Sequence, residues 1–270
     1  MKFAICNETF GDWPIDQGFE AARKFSYTGI EVAPFTLGNS VYEITTQQRH
    51  EYVRCAKKHG LEIVGLHWLL AKTNGMHLTV GDAEVQNRTL DYLIALVQLC
   101  SDLGGKIMVL GSPMQRNFPA TMTHATAMDN AAKLLSQVVP ALEKHDVRLA
   151  IEPLGPQEGN FLNHASQARE LIEKIGSPNV KLHLDVKAMS SEGTPIDSII
   201  RDHADIMIHF HANDPNRLGP GMGDVDQRPI FEALKQVDYA GWVSVEVFDY
   251  SPGVDRILGE SMANMLAVCE

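Results

Sequence analysis

The chain has 270 residues, of which 44% are hydrophobic and 21% are charged, a balance typical of a globular protein and not of a disordered or fibrous one. Its formal net charge of −11 argues against a nucleic acid as partner, because affinity for nucleic acids rests mainly on lysine and arginine. No apolar run approaches the length of a membrane span, and the N-terminus enters a strand-like segment directly, so we expect no membrane partner and a cytoplasmic location.

Short segments rich in β-branched residues alternate with longer amphipathic segments along the whole chain. Eight short segments are predicted to be strands, in chain order 3–6, 29–33, 62–66, 107–110, 148–152, 181–185, 207–211 and 242–247. Longer segments with apolar residues at helical spacing follow several of them, and the clearest are 47–59, 84–103, 125–144, 164–175 and 227–237.

This alternation predicts an α/β protein with a parallel sheet, and eight such units predict a closed (β/α)₈ barrel, the TIM barrel. No linker rich in serine, glycine or proline divides the chain, so residues 1–270 are expected to form one domain. A doubly wound dinucleotide-binding sheet is disfavoured, because Cys6-Asn-Glu-Thr-Phe-Gly11 after the first strand has one glycine where that fold has three.

Side chains able to bind a metal stand at the ends of the last four predicted strands: Glu152, Asp185, His211 and Glu246. Because the carboxyl ends of barrel strands share one face, where such enzymes place their chemistry, we expect the four to converge. Taken singly, Glu152 or Asp185 could equally cap the following helix. Glu246 lies between two valines, where an unpaired carboxylate would be costly, so a cation or a proton is expected beside it.

Three carboxylates and one imidazole form a mostly hard-oxygen donor set, suited to Mn²⁺, Mg²⁺ or Co²⁺, with catalytic Zn²⁺ as an alternative. His209 precedes His211 by two residues, so both side chains point to the same face, with His209 one layer deeper. We interpret His209 as a residue that supports the metal ligand, and a core histidine satisfied by backbone groups is the alternative.

These residues resemble the sugar isomerase and epimerase superfamily with the xylose-isomerase-like barrel, especially its ketose 3-epimerase and hydroxypyruvate isomerase branch. The resemblance covers essentially the whole chain and rests on Ile5-Cys-Asn-Glu-Thr-Phe10, Gly29-Ile-Glu-Val32, Ile151-Glu-Pro153, His183-Leu-Asp185, His211-Ala-Asn-Asp214, Pro220-Gly-Met-Gly223 and Val245-Glu246. It implies that Glu152, Asp185, His211 and Glu246 hold one divalent metal ion, and that Glu152 and Glu246 form the acid/base pair on opposite sides of a keto-sugar.

Such a site makes the proton next to a chelated carbonyl more acidic, because the enediolate is stabilised. One glutamate removes the proton and the other returns it, either to the other face of the same carbon, giving epimerisation, or to the adjacent carbon, giving aldose-ketose isomerisation. The sequence is compatible with both. The resemblance also implies a homo-oligomer, a dimer or a tetramer.

Four further residues are candidate substrate contacts. The resemblance assigns this role to Glu158 and Arg217, for which solvated loop charges are the alternative. His67 and Trp68 follow the third strand, where they would meet sugar hydroxyls and cover an apolar sugar face.

One position departs from the ketose 3-epimerases. They carry a substrate-binding histidine three residues after the sixth-strand aspartate, where this chain has Ala188, and this weakens the expectation of a free ketohexose substrate. Lys187 beside it is a candidate for contact with an acidic or phosphorylated group, although the pattern favours an exposed lysine.

Three other functions are weighed against this one: a lyase that dehydrates a keto-inositol, a barrel that binds sugars without turnover, and a DNA repair enzyme of the endonuclease IV type. The repair enzyme is disfavoured by the acidic charge and by missing histidines, at the end of the fourth strand, at position 188 and after Asp224. Fold-level analogy does not separate the first two from an isomerase.

Overall fold

Eight parallel strands form the centre of the protein, whose computed structural model describes residues 1–269. They pair in chain order, and the last strand pairs with the first, so the sheet closes into a barrel. This confirms the predicted α/β class and the (β/α)₈ architecture. The strands are β1 (Lys2–Cys6), β2 (Gly29–Val32), β3 (Glu62–Leu66), β4 (Ile107–Leu110), β5 (Arg148–Ile151), β6 (Val180–Asp185), β7 (Met207–Ala212) and β8 (Trp242–Val245).

Residues 1–269 contain nine α-helices. Two of them follow β6, and one follows each of the other strands. The five helices predicted from the sequence agree with the structure to within one residue at each end, and the other four were not identified. No helix in residues 1–269 is long and apolar enough to cross a membrane. The helices are α1 (Ile15–Lys24), α2 (Thr46–Lys58), α3 (Ala83–Asp102), α4 (His124–His145), α5 (Ala165–Ile175), α6 (Val186–Met189), α7 (Ile196–Asp202), α8 (Gln227–Gln236) and α9 (Val254–Cys269).

Side-chain caps mark the first residues of α2 and α3. The Thr45 hydroxyl accepts a hydrogen bond from the backbone N–H of Gln48, whose side chain in turn accepts one from the Thr45 N–H, so α2 starts with a capping box. Asp82 caps α3 through the Val85 N–H at 2.9 Å. These capping residues explain why the boundaries of α2 and α3 can be predicted from the sequence.

The alternation of side chains along β7 separates the apolar core from the polar interior of the barrel. Phe210 is fully buried and belongs to the main apolar core, which also contains Phe231 of α8. Its neighbours His209 and His211 are equally buried but face the other side, where they contact carboxylates. The strand therefore carries core packing on one face and polar side chains on the other.

Candidate active site

The four predicted ligand residues converge at the carboxyl ends of the last four strands. Asp185 ends β6 and His211 lies near the end of β7, whereas Glu152 and Glu246 come immediately after β5 and β8 and not within them. Single ligand atoms of Glu152, Asp185 and His211 lie within 4.8 Å of one another, and Glu246 Oε2 is 3.1 Å from His211 Nδ1. The parallel strands thus bring together four side chains that are up to 94 positions apart in the sequence, from Glu152 to Glu246.

Three buried carboxylates face one another in this cluster. Burial raises the pKa of Glu152 well above its ordinary value, and the negative charges of Glu246 and Asp185 add to the shift. Burial also raises the pKa of Asp185, with a further contribution from Glu246. Mutual repulsion of this kind is relieved by a cation, and three carboxylates with an imidazole are donors that a divalent metal ion accepts. The residues present therefore fit a divalent ion.

Asp185 both caps a helix and belongs to the cluster. Its Oδ1 accepts a hydrogen bond from the Ala188 N–H at 2.8 Å, which begins the single-turn helix α6. Its Oδ2 accepts one from Asn213 Nδ2 at 2.6 Å. From the sequence, Asp185 is either a helix cap or a member of the cluster, and its carboxylate takes both positions.

Glu31 of β2 is a fully buried carboxylate outside the set of residues predicted from the sequence. Its Oε2 lies 2.7 Å from His209 Nε2, and both of its oxygens lie 3.2 Å from His211 Nε2. Burial acts to raise the pKa of Glu31, but His209 and His211 outweigh it and hold that pKa well below its ordinary value. The available signal was a glutamate inside Gly29-Ile-Glu-Val32, a strand buried at every position.

His209 lies one layer below His211, as the sequence predicts. Its hydrogen-bond partner is the carboxylate of Glu31 and not a backbone group, and Glu31 also contacts His211. This position fits the supporting role assigned to His209, which stays a prediction.

The side chain of Glu246 is held between two imidazoles. His211 Nδ1 lies 3.1 Å from Oε2 and His67 Nδ1 lies 3.1 Å from Oε1, while His67 Nε2 contacts Glu8 at 2.9 Å. Burial acts to raise the pKa of Glu246, but the charge and hydrogen bonds of His211 and His67 prevail and lower it well below its ordinary value. Two imidazoles therefore lie beside Glu246, and the metal ion expected there stays a prediction.

A small inner cavity adjoins the cluster, and two larger outer lobes share part of its lining. Glu152 and Glu246 line the inner cavity together with three of the predicted substrate contacts, His67, Trp68 and Glu158. The outer lobes have volumes of about 450 and 420 Å³, and both are lined by Trp68, Phe248 and Arg217. Arg217 thus lies farther out than the other three predicted contacts, with its Nη2 donating to the Phe248 carbonyl at 3.0 Å.

Lys187 corrects one expectation, because the sequence favours an exposed lysine and the structure buries it. The residue is 8% exposed, and its Nζ lies 2.6 Å from Glu158 Oε2 and 4.7 Å from the centre of the Phe248 ring. The turn of α6 directs Lys187 toward the inner cavity, where a carboxylate and an aromatic face offset the cost of burying the ammonium group. The prediction of exposure was wrong because this turn is too short to leave a periodic pattern.

Gly111 leaves the space that the Glu152 carboxylate occupies. A Cβ atom built on Gly111 would lie 1.5 Å from Glu152 Oε2, far inside van der Waals contact. The Glu152 backbone is fixed separately, because the buried Arg116 donates from Nη1 to its carbonyl at 2.7 Å. Arg116 lies in the loop after β4 and was not among the predicted site residues.

The family described as xylose isomerase-like TIM barrel matches residues 19–267 of the chain. The D-psicose 3-epimerase of Enterocloster bolteae is 29% identical over 260 residues, which cover 92% of this chain and 82% of the relative. The hydroxypyruvate isomerase of Escherichia coli is 26% identical over 241 residues, covering 88% and 89%.

A solved structure shows the same fold. The D-psicose 3-epimerase from Clostridium cellulolyticum H10, determined with D-tagatose, superimposes with a TM-score of 0.88 over 100% of both chains. Its sequence identity to this chain is 20%, so the comparison establishes the architecture and nothing finer.

Proposed function

The chain belongs to the xylose isomerase-like TIM barrel family and is an enzyme of the sugar isomerase and epimerase kind. We propose that it is an epimerase or isomerase that depends on a divalent metal ion. Its substrate would be a small keto-sugar or a related hydroxy-carbonyl compound. Epimerisation of a keto-sugar is the first candidate, since the relative with 29% identity is named a D-psicose 3-epimerase. The relative named hydroxypyruvate isomerase supports the smaller hydroxy-carbonyl class.

The observation that carries this proposal is that Glu152 and Glu246, which directly follow β5 and β8, line one cavity beside Asp185 and His211. Glu152, Asp185, His211 and Glu246 would hold the metal ion, which we propose is Mn²⁺, Mg²⁺ or Co²⁺. When bound, the ion would polarise the carbonyl and so acidify the neighbouring C–H.

The remaining chemistry is assigned to side chains of the chain itself. His67 Nδ1 holds the Glu246 carboxylate toward the cavity, where it would take the proton from the carbon next to the carbonyl. Glu152 would return a proton from the other side of the substrate, and return to the opposite face of the same carbon inverts that centre. Glu158 and Trp68 would contact the sugar, one by hydrogen bonding and the other by covering an apolar face.

The test is a panel of ketoses, keto-acids and sugar phosphates incubated with the Mn²⁺-loaded protein in heavy water and followed by NMR. We expect deuterium to enter one substrate at the carbon next to the carbonyl, and Glu246→Gln to abolish that exchange. Glu232→Gln, the same change on the exposed face of α8, should retain it. Undiminished exchange in Glu246→Gln would rule out the assigned role, and a dehydrated product absorbing in the ultraviolet would identify a lyase instead.

A further inference from the structure

His183 of β6 is a buried imidazole whose polar atoms are not explained by the residues around it. Its exposure is 0%, and neither Nδ1 nor Nε2 has a hydrogen-bond partner among residues 1–269. Buried polar atoms nearly always have partners, and an unpaired one requires a reason such as a bound ion. A neutral imidazole always presents one nitrogen with a free lone pair, which is the form in which histidine binds metals.

The strand register places this imidazole at the carboxylate cluster. His183 precedes Asp185 by two residues on β6, so the two side chains share the inward face. Across the β6–β7 pairing, His183 lies opposite His209 and Asp185 lies opposite His211. His183 is therefore one layer deeper than the cluster but on the same side of the sheet.

Distances show that His183 reaches the cluster from that layer. Single ligand atoms of Glu152, His183, Asp185 and His211 all lie within 4.8 Å of one another. His183 Nε2 is 3.8 Å from Glu152 Oε1, too long for a hydrogen bond, and its ring centre is 4.1 Å from that of His211. This spacing excludes a direct hydrogen bond, and it lies within the 4.8 Å over which the ligand atoms of the cluster are spread.

His209, the other deep histidine, differs in this respect. Its Nε2 already contacts the Glu31 carboxylate at 2.7 Å, which fixes the ring within the polar network. His183 has no such contact on either nitrogen among the described residues. Of the two deep histidines, His183 is the one with neither ring nitrogen engaged among the described residues.

We propose that His183 supplies a nitrogen ligand to the divalent ion, beside Glu152, Asp185 and His211. This inference rests on the proposed function, because it concerns the same ion. The metal site would then contain two imidazoles, His183 and His211, whereas the four ligands predicted from the sequence include only His211. A second nitrogen donor raises the affinity for Co²⁺, Ni²⁺ and Zn²⁺ relative to Mg²⁺, which prefers an all-oxygen shell.

The first test counts nitrogen ligands directly in the full wild-type chain loaded with Mn²⁺. Pulsed electron paramagnetic resonance resolves the couplings of imidazole nitrogens to the bound ion, and we expect two. One coupled imidazole would overturn the inference and leave the proposed function intact, since His211 alone accounts for it. Failure of the wild-type chain to bind Mn²⁺, Co²⁺ or Mg²⁺ would overturn the proposed function and this inference together.

The second test measures metal affinity by calorimetry in His183→Met, which keeps a side chain of similar length without the imidazole. We expect Co²⁺ affinity to fall by about 10-fold to 100-fold, with a smaller loss for Mg²⁺, and one imidazole coupling to remain. His124→Met is the matched control, because His124 Nε2 also lacks a partner but lies outside the cluster. Equal Co²⁺ affinity in wild type and His183→Met would mean that a buried water, and not the ion, satisfies His183. If His183→Met does not fold, the wild-type spectrum decides the question alone.

Discussion

Glu31 Oε2 and His209 Nε2 lie 2.7 Å apart inside the barrel, where neither side chain is more than 1% exposed. The same carboxylate contacts His211, so a strand at the start of the chain helps to orient a residue near its end. Partners of this kind fix the ring orientation of a metal-binding histidine and are worth about 10-fold to 100-fold in affinity or activity.

Glu31→Gln is therefore expected to weaken Mn²⁺ binding by about 10-fold to 100-fold, because the amide cannot provide the negative charge that holds two imidazoles. Isothermal titration calorimetry on the full chain measures this. Glu20→Gln, the same change on the exposed face of α1, should bind Mn²⁺ like the wild type. Equal affinity in the two variants would contradict a role for Glu31 in holding His211.

Gly111→Ala is expected to reduce kcat by about 100-fold, because the new methyl group displaces the Glu152 carboxylate by an ångström or more. The loss of stability should be about 1–3 kcal/mol, typical of overpacking in a buried site. Steady-state kinetics and thermal unfolding separate the two effects.

Gly81→Ala is the control for this change, because its new Cβ would have no neighbour closer than 3.6 Å and its backbone needs no left-handed conformation. Activity unchanged in Gly111→Ala would show that Glu152 can function from a different position.

Removal of divalent ions with a chelator should lower the melting temperature, since an ion at 100 times its Kd stabilises the folded state by about 2.7 kcal/mol. For a chain of this size that corresponds to a shift of roughly 5–10 °C, which Mn²⁺ should reverse. Differential scanning calorimetry tests this, with Glu152→Gln/Asp185→Asn as the comparison, in which Mn²⁺ should produce little shift. A full shift in the double variant would place the stabilising ion elsewhere.

Lys187→Met should destabilise the protein by about 2 kcal/mol, because it leaves the Glu158 carboxylate without its cation. This is less than the ~3–5 kcal/mol of a fully buried pair, since the Glu158 side chain is 24% exposed. Chemical denaturation of both single variants and of Lys187→Met/Glu158→Gln forms a double-mutant cycle. We expect the double variant to be more stable than the sum of the single changes predicts, and strict additivity would show that the two charges do not interact.

The convergence of Glu152, Asp185, His211 and Glu246 was predictable because it depends on topology alone. Once eight strands are recognised as parallel and consecutive, residues at equivalent strand ends must meet, whatever the exact packing. The same reasoning placed His209 one layer below His211, since strand side chains alternate between faces.

Glu31, His183 and Lys187 were harder to assign because their positions depend on side-chain contacts between distant strands or on a single helical turn. A buried glutamate or histidine in one strand does not indicate which residue across the barrel it touches. Lys187 required knowledge of how α6 turns, and no periodic pattern exists in four residues. Arg116 lies in a loop, where the sequence offered no comparable guide.

The side chain of Asn213 joins the two ends of the α6 turn, because its Nδ2 donates to Asp185 Oδ2 and its Oδ1 accepts from the Lys187 N–H at 2.8 Å. The residue at the carboxylate cluster and the lysine at the cavity are thus anchored to one amide. A replacement that shifts Lys187 would therefore also shift Asp185, so the cavity cannot change at this turn without a change in the cluster. Arg217 and Phe248, which line both outer lobes, make no hydrogen bond to Asn213 among the described residues, so a change at either of them leaves this turn in place.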